Sequence, residues 1–128
     1  MSGTWHLERK RPLVALVWSL PLVAAALEEA IDFADVRLFD ASGGEILGLF
    51  RQLRPDAIVV ESSVAAEAAE AYAADSGVPV LHLSTQERVL RVLGPDGWTD
   101  IDNGGDPGPV TVRNALAGAL FGAGAVGA

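Results

Sequence analysis

The stretch Arg54 to Ser63, "RPDAIVVESS", decides how this chain is read. Its Pro55 ends a helix, because the ring disfavours helical geometry at the residue before it. Ala57 to Val60 then run apolar without alternation, the pattern of a strand buried on both faces of a parallel sheet. The run stops on Glu61 and two hydroxyls. Open α/β sheets bind their ligands outside the carboxyl ends of the strands. A carboxylate at that place is therefore an active group, the remnant of one, or a solvated strand end.

Working outward, the same alternation of strand and helix signals recurs on both sides. Val14 to Trp18, "VALVW", is a second continuous apolar run. Pro21 suits the first turn of a following helix, and Ser19 stands where a capping hydroxyl is expected. Val23, Leu27, Ala30 and Ile31 fall on one helical face. Ala34 to Asp40 predicts a strand, and Glu45 to Leu53 a helix striped by Ile46, Leu49, Phe50 and Leu53. After "RPDAIVVESS", Ala65 to Ala74 predicts an alanine-rich helix that Gly77 closes. Val78 to Ser84, "VPVLHLS", predicts a fourth strand. The order βαβαβαβ requires a parallel sheet with helices on both faces.

The last third follows a different pattern. "RVLRVL" and "WTDID" alternate around Gly94-Pro95-Asp96-Gly97, which predicts a β-hairpin between Arg88 and Asp102. Asn103 to Pro109 is a glycine- and proline-rich loop, and Val110 to Phe121 a final helix. Residues 1–11 are expected to be a flexible N-terminus, 12–121 a single α/β domain, and 122–128 a flexible tail or the start of a linker.

Composition bounds the function. The chain has 128 residues, half of them apolar, and a net charge of −8. That describes one acidic globular domain with a proper core. The acidity argues against a nucleic-acid partner, since the only basic cluster is Arg9, Lys10 and Arg11. The absence of cysteine removes disulfides and thiolate metal sites and fits a cytoplasmic location. The segment from Arg9 through the alanines has the look of a secretory signal. A strand and a helix account for all of it, including Pro21, so no signal and no membrane span is expected.

With the elements in order, Pro12 to Thr85 resembles the receiver domain of bacterial response regulators. "LVWSLPLV" is similar to that family's first strand and its turn into helix one, with Trp18 and Ser19 at the places of two metal-binding acids. "LRPDAIVVES" is similar to the run into the third strand, with Glu61 at the place of the phosphorylated aspartate. "VPVLHLST" is similar to the fourth strand, with Ser84 at the place of the switch hydroxyl. The resemblance implies a flavodoxin- or receiver-like three-layer fold, with the fourth helix replaced by the hairpin. It also implies a lost activity. Mg²⁺ needs oxygen ligands that an indole and one hydroxyl do not supply, and Lys10, the only lysine, precedes the first strand.

The resulting expectation is a non-enzymatic, phosphorylation-independent signalling module that works through a protein partner or through a second copy of itself. Glu61 would hold it in one state by bonding to Ser84 or to nearby amides. The alternative is a small-molecule-binding domain with its pocket at the sheet mouth, around Trp18, Ser62, Ser84 and Thr85. No cofactor and no metal are expected. His82 is expected to be a half-buried structural residue, and His6 stands apart from it. No serine lies in a G-x-S-x-G motif. The loop "GGDPGPVT" lacks phosphate-binding spacing, and Asp96, Asp100, Asp102 and Asp106 lack that of a calcium loop.

Overall fold

The computed structural model describes residues 11–42, 45–101 and 106–121. The expectations for residues 1–10 (His6 among them), for Asp102, for Asn103 to Gly105 of the loop after it and for the tail lie outside these residues.

Among the described residues six strands form one mixed sheet: β1 (Leu13–Trp18), β2 (Asp35–Asp40), β3 (Ala57–Val60), β4 (Val80–Ser84), β5 (Val89–Gly94) and β6 (Gly97–Ile101). Their spatial order is β2-β1-β3-β4-β5-β6. The first four are parallel, whereas β5 runs antiparallel to β4 and β6 antiparallel to β5. The parallel sheet expected from the βαβαβαβ order is found in the first four strands, and the hairpin makes the whole sheet mixed. The hairpin does form, and it adds two strands to the sheet in place of a further strand–helix unit. Its turn is made by Pro95 and Asp96, with Gly97 at a φ of 110° that a side chain would strain.

Among the described residues four helices cover the sheet: α1 (Pro21–Ala30), α2 (Ile46–Leu53), α3 (Ser63–Ser76) and α4 (Pro109–Phe121). The alternation of β1 sends Val14 and Leu16 into one core with Leu27 of α1 and with Val112 and Leu116 of α4. It sends Ala15 and Val17 into a second core with Ile46 and Phe50 of α2 and the alanines of α3. This is why β1 and β3 have no polar positions: both of their faces are interior. The alanine face of α3 lets that helix lie close on the sheet. Phe50 fills the space between α2 and α3 and tilts against Tyr72, 5.8 Å between ring centres.

The helix ends correct two boundaries. Helix α3 runs from Ser63 to Ser76, longer than its alanine block, because Ser62 caps it by accepting from the Ala65 amide and Gly77 closes it in a left-handed turn. Helix α1 is capped by Leu20, with no capping side chain, so Ser19 does not serve as its cap. Arg11, expected in a flexible end, is fixed: its guanidinium donates to the carbonyls of Asp32 at 2.6 Å and Ala34 at 3.4 Å. At the start of β3, the Asp56 carboxylate accepts from the Leu13 amide of β1 at 2.8 Å. No helix among the described residues is long and apolar enough to cross a membrane.

Candidate functional site

Strand β3 ends at Val60, and the next residue, Glu61, is 7 % exposed and the one buried charged residue among those described. An ionised carboxylate in such a place must be satisfied by donors. The Glu61 backbone continues the strand pairing by donating from its N–H to the Val17 carbonyl at 3.1 Å. This aims the side chain at the loop that leaves β1. One oxygen accepts from the Ser19 amide at 2.7 Å and the Leu20 amide at 3.0 Å; the other accepts from the Ser19 hydroxyl at 2.8 Å. The carboxylate thus sits just ahead of α1, whose unpaired amides and dipole favour an anion there.

This arrangement separates two expectations. Glu61 bonds to nearby amides, as one expectation had it, but not to Ser84. The Ser84 hydroxyl accepts from the Glu87 amide at 3.2 Å and closes the β4–β5 turn. Ser62 is occupied as the α3 cap.

Two cavities flank the end of β4. A polar one, of about 580 Å³, lies over the start of α3 and is lined by Ser19, Glu61, Ser62, His82, Thr85 and Arg91 among others. An apolar one, of about 390 Å³, lies between α1, the end of β4 and the start of α4. Ser84 and Thr85 border both, while Trp18 borders neither. Trp18 is half-buried and stands in register with Asp40 of β2, so it belongs to the β1–β2 side of the sheet rather than to the β3–β4 gap. Of the four residues expected to form one pocket, the fold brings together Ser62, Ser84 and Thr85 and leaves Trp18 out.

No protein-family model, curated protein or solved structure matches the chain. The chemistry of the site therefore rests on its own residues.

His82 is half-buried, with its ring edge-on to Trp98 at 6.1 Å. Burial pushes its pKa below the usual 6.5, and the Arg91 cation lowers it further; Glu87 and Glu61 oppose this. At neutral pH it lines the polar cavity as an uncharged donor and acceptor. Arg91, directly across from it on β5, holds Glu87 at 2.6 Å and Asp100 at 3.0 Å, and both bonds raise its pKa. The polar cavity therefore presents hydroxyls, a neutral imidazole and a guanidinium whose charge is already matched. Among the described residues no group of three or more His, Cys, Asp or Glu is placed to hold a metal ion.

His82 and Arg91 are lining residues that spacing alone did not identify. Arg91 stood as one charge in an alternating strand, and only the β4–β5 pairing brings it over His82. The strand-end position of Glu61 was the one signal that located the site.

Proposed function

We propose that this chain is a receiver-like signalling module that works without phosphorylation, through contact with a protein partner or with a second copy of itself. The observation that carries the reading is the Glu61 carboxylate, both of whose oxygens are engaged by Ser19 and Leu20. A phosphoryl acceptor needs a free oxygen beside a metal and a cation. Here the carboxylate is turned inward, onto Ser19, one of the two residues at the places of a receiver's acids, and onto Leu20. The order β2-β1-β3-β4 supports a flavodoxin- or receiver-like arrangement, since that order begins the 2-1-3-4-5 sheet. The antiparallel β5 and β6 depart from it, and the face they form is peculiar to this chain. In this reading Glu61 is a fixed structural anion, Trp18 and Ser19 are the vestiges of the metal site, and Ser84 is a turn residue in the place of a switch. The module is proposed to act in the cytoplasm, with no cofactor, nucleic acid or membrane as partner.

The test is exposure of the full chain to acetyl phosphate, or to beryllofluoride, with Mg²⁺. Intact mass and amide NMR shifts are expected to stay unchanged. A phosphoryl adduct that disappears in Glu61→Gln would overturn the reading.

A second reading, small-molecule binding at the sheet mouth, is favoured by the polar cavity of about 580 Å³, a size usual for ligand sites. Its test is a thermal-shift screen with neutral polar metabolites, in which any stabilisation should be lost in Thr85→Ala.

A further inference from the structure

The apolar cavity on the other side of β4 has a different chemistry from the Glu61 mouth. Its deep wall is Leu27 and Leu83, both buried, flanked by Val23 and Ala26. Leu22 forms the outer wall and is 87 % exposed, an unusual amount of aliphatic surface left in water. At the rim stand two opposite charges, Arg88 and Asp106, 3.9 Å apart and each about 70 % exposed. A contact this long and this wet holds neither partner firmly.

Arg88 is also conformationally costly. Its φ is +58°, the left-handed region that glycine adopts readily and other residues adopt at a cost. The turn between β4 and β5 thus carries a long cation at a position where glycine would relieve the backbone. Such backbone clusters at functional sites; the other example among the described residues, Arg54, is the left-handed cap that ends α2.

We propose that this cavity binds a free apolar α-amino acid. The aliphatic or aromatic side chain lies against Leu27, Leu83 and Val23 and covers Leu22. The carboxylate pairs with Arg88 and the ammonium with Asp106. Both charges of such a ligand leave the same carbon, so they reach a rim whose own charges stand 3.9 Å apart. A simple carboxylate would face Asp106 unmatched, and a simple amine would face Arg88. A cavity of about 390 Å³ lies within the range of small-ligand sites and is mostly apolar, as such sites are. The ligand would link α1, the β4–β5 turn and the start of α4, giving the module a chemical input. The binding site itself does not depend on the signalling reading.

The test is isothermal titration of the full chain with L-leucine and L-phenylalanine, beside glycine, isocaproate and isoamylamine. Saturable binding is expected for the first two. Glycine lacks the side chain and its apolar burial, and the other two lack one charge-assisted contact each, so all three should bind about tenfold more weakly or worse. Arg88→Gly removes the cation while relieving the backbone, so it should lose binding with no fall in melting temperature. Asp106→Asn should bring leucine down to the level of isocaproate. Failure of both amino acids to bind, or leucine binding that survives Arg88→Gly, would overturn the proposal. Isocaproate binding as tightly as leucine would overturn the zwitterion assignment. The phosphorylation test reads out at Glu61, so failure of either idea is seen separately from failure of the other.

Discussion

Strands β1 and β3 bury every residue from Val14 to Val17 and from Ala57 to Val60, whereas β5 buries only Leu90 and β6 buries none of its five residues. The parallel half is held by two hydrophobic cores, one on each face. The hairpin is held by strand pairing, the partly buried Val92, Leu93, Trp98 and Ile101, and ion pairs from Arg91. Exposed ion pairs contribute little each, while apolar burial dominates folding. Stability is therefore concentrated in the parallel half, and the hairpin is the region free to open or to change.

Three substitutions break or sharpen that contrast. Phe50→Ala empties the core between α2 and α3 and is expected to cost about 3–5 kcal/mol. Denaturant unfolding should show the loss in the whole transition; a loss confined to one helix would contradict a single cooperative parallel half. Glu61→Ala removes the acceptor of the Ser19 and Leu20 amides, whose bonds are only part-buried, and is expected to cost about 1–2 kcal/mol. Hydrogen exchange should then quicken first at the start of α1, and unchanged exchange there would show that solvent replaces the carboxylate without loss. The smallest effect lies at the seam between the halves, on His82, and depends on pH. Its folded-state pKa lies below the ordinary 6.5. The unfolded chain therefore takes up the proton more readily, and stability falls as pH drops below that value and on through the folded-state pKa. His82→Asn should flatten this limb of the stability profile in melting experiments, and an unaltered slope would place the acid sensitivity elsewhere.

The contrast also explains what was legible in the sequence. "VALVW" and "AIVV" announce strands because burial on both faces leaves nothing but apolar residues. Gly94 to Gly97 announces a turn because few other residues suit one. Gly77 marks the end of α3 by local bonding, which spacing reports well, whereas the alanine block hid the earlier start that the Ser62 cap sets. The rest depends on partners distant in the chain. Ser19 looks like a helix cap until Glu61 arrives from the end of β3 and takes its hydroxyl. Trp18 stands at a strand end, but register with β2 decides which side of the sheet it joins. Arg88 carries no local sign of its left-handed backbone, and the cavity beside it exists only once α1 and α4 are packed.

The two carboxylates that bracket "AIVV" have a consequence for how β1 and β3 align. A strand with one wet face is held in register by its alternation, since a one-residue slip turns its apolar side chains outward. Strands β1 and β3 are interior on both faces, so a slip exchanges one aliphatic for another and the hydrophobic pattern exacts only a modest penalty. Asp56 accepts from Leu13 at one end of the pair and Glu61 from Ser19 at the other. Any slipped alignment breaks both bonds and strands Glu61 away from its donors. The acid residues therefore act as end stops. They single out one alignment among several that the apolar core would tolerate almost equally.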